Sequence, residues 1–312
     1  MTATGPQDSP ERPDPARRGV EPPGARRGDG APSATPHGRP DTNGAGPVDD
    51  ADAPDVPDAD ADDLVGATAR GELTLLYQPE FDLRRGTFVG VEALLRWRHP
   101  TRGLLGPPDV ADALAAPDVA VAVGRWVLDE ATRQGAHWHD RGHRFAVALN
   151  VSRAQAASPT LVDDVRGALA AHALTPAALT LELAGATLEG LDDARRAALL
   201  ALGVRLGVDD VVPGVTDVAG LVARGVRVVK LARAAVSDPS RDAAIDELLA
   251  TLATSEVRVV VAGVESAATA RRLEGARGAP VEGQGFLYAR PLPATAIDEL
   301  LEDFAIFSGE PL

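Results

Sequence analysis

The sequence predicts an α/β protein built as a TIM-like (β/α)₈ barrel with an antiparallel first strand, preceded by a disordered N-terminal tail. Three observations carry that expectation. From Leu64 onward, short β-type runs alternate with longer alanine- and leucine-rich amphipathic stretches, the pattern of a repeating strand–helix unit. The eight runs fit into about 245 residues, the span of a closed barrel. A polar residue then recurs at one strand end after another, where a barrel builds its site. A doubly wound open sheet is the alternative on pattern alone.

The tail comes first. Residues 1–63 contain no Leu, Ile, Phe, Trp or Tyr, and hold 12 of the chain's 25 prolines together with eight glycines. Such a segment buries too little apolar surface to offset the entropy of ordering. The expected organisation is a Pro/Gly/Asp-rich tail over 1–63 and one domain over 64–312. From Asp49 to Asp63 the tail carries eight aspartates and no basic residue. Self-repulsion extends such a run, which reads as a solvated spacer, with an acidic docking tail as the alternative.

Within the domain, strands are predicted near 73–80, 87–96, 144–151, 179–184, 204–210, 226–231, 257–263 and 283–288. Helices are predicted near 107–115, 119–140, 159–173, 188–202, 216–224, 239–255, 266–275 and 293–304. The first two strands are joined through Arg84, Arg85 and Gly86, too short a link for a parallel crossover, so that pair should be antiparallel.

Composition narrows the partners. A net charge of −15 argues against non-specific binding to nucleic acid or to an anionic membrane, which needs a basic surface. The absence of cysteine excludes disulfides, thiolate metal sites and a thiol nucleophile. Neither a signal-peptide core nor a run of 18 apolar residues appears, so a cytoplasmic protein is expected.

The strand-end residues carry the chemistry. Gln78 falls at the end of the first predicted strand, Glu92 and Arg96 in the second, Asn150 at the end of the third and Glu182 in the fourth. Asp209 and Asp210 close the fifth, Lys230 the sixth, Glu265 follows the seventh, and Gln284 opens the eighth. Polar groups ending apolar runs are costly to bury unless they meet partners. Lys230 is the only lysine in the chain, and Asn150 the only asparagine after residue 43. Glu92, Asn150, Glu182, Asp209 and Asp210 offer oxygen donors without imidazole or thiolate, a set suited to Mg²⁺ or Mn²⁺ and to two-metal phosphodiester hydrolysis. Arg96 lies four residues after Glu92, on the same face of a strand, where a guanidinium could clamp phosphate.

Longer segments carry a family resemblance. They are Tyr77-Gln78-Pro79, the stretch Gly90-Val91-Glu92-Ala93-Leu94-Leu95-Arg96-Trp97-Arg98-His99-Pro100, and Gly124-Arg125-Trp126-Val127-Leu128. Asn150-Val151-Ser152, Asp209-Asp210, Lys230, Gly263-Val264-Glu265 and Gln284-Gly285-Phe286-Leu287 through Arg290-Pro291-Leu292-Pro293 follow in order. Over about residues 72–304 the chain resembles EAL domains, whose active members are metal-dependent phosphodiesterases that linearise cyclic di-GMP to pGpG. The resemblance implies that Glu92, Asn150, Glu182 and Asp209 hold one metal, Asp209 and Asp210 a second. It further implies that Lys230 orients the attacking water, and that Gln78, Arg96 and Gln284 contact the ligand.

Several positions depart from the family pattern. Ala262 stands where the family has the first glutamate of Ala-Glu-Gly-Val-Glu, and Val211-Val212-Pro213-Gly214 replaces its Phe-Gly-Thr-Gly loop, which supports dimerisation. Gly185 replaces a supporting glutamate, Ala184 a threonine, and Ala232 the aspartate after the lysine motif. The expected function is therefore a degenerate phosphodiesterase acting as a cyclic di-GMP receptor or regulatory interaction module, with a protein partner or homodimer as its output. The alternative is an active Mg²⁺- or Mn²⁺-dependent enzyme in which Glu265 or a water stands in for the missing carboxylate.

Overall fold

In a computed structural model, residues 61–276 and 278–308 are described. Residues 1–60 of the predicted tail lie outside them. The first described element is a helix, Ala61–Ala69, which buries Leu64 and Ala67 completely and so begins just ahead of the predicted boundary.

Nine strands follow: β1 (Leu73–Asp82), β2 (Thr87–His99), β3 (Gly103–Leu105), β4 (Ala146–Asn150), β5 (Leu179–Ala184), β6 (Arg205–Val211), β7 (Val226–Leu231), β8 (Arg258–Ala262) and β9 (Val281–Gln284). Their order is β1-β9-β8-β7-β6-β5-β4-β2, and β1 also pairs with β2, which closes eight of them into a barrel. The ninth, β3, pairs with the outer end of β2. β1 runs antiparallel to both its neighbours while the other barrel pairs are parallel, as the short Arg84–Gly86 link demands. β5 is buried from Leu179 to Leu183, the continuous burial of a strand covered by helices on one face and by the barrel interior on the other. Among the described residues, no helix is long and apolar enough to cross a membrane.

One aromatic cluster fastens the last helix, Ala294–Ser308, to the outside of the barrel. The indole of Trp138, at the end of the long helix Pro117–Asp140, donates to Asp298 at 2.8 Å and meets the Tyr77 ring edge-on. Tyr77 and Leu292 exchange backbone hydrogen bonds at 2.7 and 2.8 Å, so the segment leading into the last helix is stitched to β1.

Three local expectations are corrected. The helix predicted over 188–202 is two, Gly185–Gly190 and Asp193–Leu202, because Leu191 is buried between them and Asp192 caps the second through the Arg195 amide. Gln78 does not end its strand: β1 runs down the barrel, and its C-terminal Asp82 pairs with Glu282 at the opposite rim from the strand ends that carry Asn150 and Glu182. The last strand is shorter and earlier than 283–288, so Gln284 closes β9 instead of opening it. There the chain turns at Gly285, where a Cβ would collide with the Val264 backbone, and the Val264 amide donates to the Gln284 carbonyl at 3.0 Å.

Candidate active site

Lys230 leaves β7 among Val228, Val229 and Leu231, all buried, and points into the barrel. Its ammonium lies 2.7 Å from a Glu92 carboxylate oxygen and 3.1 Å from Glu182 Oε2. β7 neighbours neither β2 nor β5, so these contacts cross the barrel interior. Glu92 Oε1 accepts from the Asn150 amide at 2.8 Å, and Glu92 Oε2 from the Gln284 amide at 2.8 Å. Gln284 Nε2 also reaches Gln78 Oε1 at 3.1 Å, and the Gln78 amide donates to the Ala289 carbonyl at 3.1 Å. Six of the predicted site residues thus form one hydrogen-bonded network at the C-terminal mouth.

The two carboxylates facing Lys230 are not equivalent. Burial pushes Glu92 up, but the Lys230 charge and the bonds from Lys230, Gln284 and Asn150 outweigh it and hold the acid below its usual range. Glu182 has Lys230 alone as a donor, and its Oε1 is buried without a hydrogen-bond partner among the described residues. Burial, with the Glu92 and Asp209 charges, therefore pushes Glu182 up to about 7. Burial also opposes the ammonium of Lys230, yet Glu182 and Glu92, with Asp209 and Glu80 beyond, keep it well above its ordinary value.

Asp209 and Asp210 sit on an irregularity in β6. The β6–β7 register slips between Val208 and Val211, and Asp210 takes a left-handed backbone with φ of 56°. Such a bulge re-aims side chains next to a site, and aspartate tolerates the conformation better than bulkier residues. Asp209 carries a carboxyl raised by burial, while Asp210 is exposed and its amide donates to Asp209 Oδ1 at 2.8 Å.

Arg96 and Glu265 are not hydrogen-bonded into this network. The Arg96 guanidinium donates to the Leu95 carbonyl at 2.7 Å and feels the charges of Glu92 and Asp109. Glu265 is exposed and pairs with Arg233 at 2.5 Å. The Arg233 stem lies across Gly263, whose φ of 73° and missing Cβ make room for it. That pair joins the β7 and β8 loops and carries no signal in the sequence, nor does the Arg290 guanidinium stacked 4.1 Å over the half-exposed Phe286 ring. Ala262 ends β8 directly opposite Gln284 in the β8–β9 ladder.

Among the described residues, no three His, Asp or Glu side chains are gathered as a metal cage, and the Lys230 ammonium pairs with both Glu92 and Glu182. The residues nonetheless fit a hard divalent ion. The buried, unpartnered Glu182 Oε1, with Asn150, Asp209 and Asp210 near the mouth, is an all-oxygen donor set of the kind that Mg²⁺ and Mn²⁺ take.

The EAL domain family model matches residues 61–291. The chain belongs to the EAL domain family. It is 38% identical over 236 residues to MucR of Pseudomonas aeruginosa, named a bifunctional diguanylate cyclase/cyclic di-GMP phosphodiesterase, covering 73% of this chain and 34% of MucR. It is 34% identical over 250 residues to NbdA of the same organism, named a cyclic di-GMP phosphodiesterase, covering 77% of this chain and 32% of NbdA. The chain spans about a third of the length of these curated relatives. Among solved structures, this EAL domain is similar to the MucR phosphodiesterase in its c-di-GMP complex, with a TM-score of 0.69 and 36% identity over 76% of this chain and 98% of that one.

Proposed function

We propose that this EAL domain binds cyclic di-GMP at the C-terminal mouth of its barrel and hydrolyses it very slowly or not at all, acting as a receptor or regulatory interaction module. The observation that carries the reading is Ala262. At the end of β8, opposite Gln284, a methyl group stands where the family pattern has a carboxylate. Removing one positioned group from such a site costs about 10²- to 10⁴-fold in rate. Ala232, at the N-terminal cap of the helix Arg233–Val236, and Gly185, which opens Gly185–Gly190, lose further polar groups around the same mouth.

Glu92, Asn150, Glu182 and Asp209 are the residues that would hold one Mg²⁺ or Mn²⁺, and Asp209 with Asp210 a second. Bound there, such ions supply positive charge for a water nucleophile and for the leaving oxygen. The chain's own groups do the rest. Lys230 fixes the Glu92 and Glu182 carboxylates and presents N–H donors to the mouth. Gln78 and Gln284 offer amides at the barrel axis, and Arg96 offers its guanidinium to a phosphate. None of these three needs Ala262 to be a carboxylate, so binding survives where turnover fails. In this reading the domain works in the cytoplasm, and its output passes through a protein partner or a second copy of the chain.

A working phosphodiesterase is the second reading, supported by the intact Glu92–Asn150–Gln284–Lys230–Glu182 network. The two separate cleanly. On the first reading, purified protein with Mn²⁺ forms no pGpG over hours while the Ala262→Glu variant does; comparable pGpG from both overturns it.

A further inference from the structure

At the outer end of β2, beyond the barrel mouth, three arginines stand within seven residues: Arg96, Arg98 and Arg102. Among the described residues none of the three is ion-paired, in a chain whose net charge is −15. Arg98 is exposed, and its guanidinium makes one long bond, to Thr74 Oγ1 at 3.5 Å. Arg102 Nη1 is buried without a hydrogen-bond partner among the described residues, a costly state for a charged group. Arg98 shares one face of β2 with Arg96 and stands across the β2–β3 ladder from the exposed Leu104. No strand lies on the far side of β3, so this face is open at its edge.

The acidic run ends beside these arginines. Asp63, its last residue, pairs with Arg70 at 2.8 Å and lies 3.6 Å from His99 Nε2, one residue from Arg98. His99 Nδ1 accepts from the Thr101 and Arg102 amides, each at 3.2 Å, so Nε2 is the N–H that faces Asp63. Upstream, residues 55–60 lie outside the described residues and carry Asp55, Asp58 and Asp60 with no basic residue among them. Six residues of extended chain span up to about 20 Å, whereas Arg96 lies about 10 Å from His99 along the strand. The run therefore has the length to pass round the β3 edge onto the arginine face. Exposed ion pairs are individually weak, but a short tether holds the aspartates there at millimolar effective concentration. We propose that residues 55–60 dock on Arg98 and Arg102 and, within reach of Arg96, compete with an anionic ligand for the rim of the mouth. The docking is a property of the chain alone; the competition rests on the cyclic di-GMP binding proposed above.

The chain has no cysteine, so two introduced thiols report proximity without background. In the full chain, Ala59→Cys with Leu104→Cys puts one thiol in the acidic run and one on the exposed position opposite Arg98. With glutathione disulfide at low salt, the two should join about tenfold faster than in the same chain carrying Asp55→Asn, Asp58→Asn and Asp60→Asn, the size of two or three exposed ion pairs together. The difference should vanish in about 0.5 M NaCl, and Arg98→Gln should reduce it. Equal rates with and without the aspartates, a difference untouched by salt, or one untouched by Arg98→Gln would each overturn the docking. In calorimetric titration at low salt, the triple Asp→Asn chain without the cysteines should bind cyclic di-GMP about tenfold more tightly than wild type, with the same unfolding midpoint. Equal or weaker affinity would overturn the competition. If neither chain binds cyclic di-GMP, the proposed ligand fails and the competition with it, while the thiol rates still decide the docking.

Discussion

Ala262 lies directly opposite Gln284 at the last rung of the β8–β9 ladder, so a methyl group faces the mouth beside an amide that already holds Glu92. A carboxylate restored there would join the intact network without moving a strand. Ala262→Glu should raise Mn²⁺-dependent hydrolysis of cyclic di-GMP by about 10²- to 10⁴-fold, read as pGpG formed per hour. An unchanged rate would place the lost chemistry elsewhere, in the 211–214 loop or at Ala232.

Lys230 is paired with two carboxylates, Glu92 and Glu182, buried at the barrel centre. Lys230→Met would strand Glu92 and Glu182 as an uncompensated pair. Thermal or urea unfolding should show a loss of about 3–5 kcal/mol, the usual result of removing one partner from a buried ion pair. Adding Glu182→Gln to that variant should recover part of the loss, because a neutral amide then fills the poorer-solvated position. A near-neutral Lys230→Met would mean that the pair contributes little.

How much of this was readable in the residues depends on whether the cause was local. Lys230 was legible because a lone lysine among valines and leucines has nowhere to go but a partner. The closed barrel was legible from eight apolar runs and their polar ends. Gln78 was misplaced along its strand because the rule that sites lie at strand C-termini fails for the one strand running the other way. Gln284 was put at the wrong end of its strand because the turn at Gly285 depends on how close the Val264 backbone lies, a tertiary fact. Glu80 carries no signal in the sequence, since only the tertiary neighbours Arg258 and Gly90 mark this glutamate as buried.

Glu80 also gives a pH dependence of known sign. Burial, opposed by Arg258 and Lys230 and reinforced by the Glu182 and Glu282 charges, raises its acid from 4.5 to about 8 in the folded barrel. Between those values the folded state holds a proton that the unfolded chain has released, so stability falls as pH rises. Denaturant unfolding from pH 5 to 8 should show that decline, and Glu80→Gln should flatten it. Glu182, raised to about 7, adds a slope of the same sign that the variant leaves in place. An equal slope in wild type and Glu80→Gln would contradict the assignment.

Arg96 is half-buried at the rim, and the bond it makes goes to a carbonyl of its own strand. Its removal should leave the barrel intact. If it meets a phosphate of cyclic di-GMP, Arg96→Ala should weaken binding by about 10- to 100-fold, the value of a charge-assisted hydrogen bond, with an unchanged unfolding midpoint. Calorimetric titration checks this, and equal affinity would remove Arg96 from the ligand site.

The most direct test of the central claim is cyclic di-GMP binding and hydrolysis measured on one preparation with Mg²⁺, Mn²⁺ and Ca²⁺. The account predicts saturable binding with at least one of these ions and no pGpG above background with any. Turnover with Mg²⁺ or Mn²⁺ near ordinary enzyme rates, on the order of 1 s⁻¹ or faster, would contradict it.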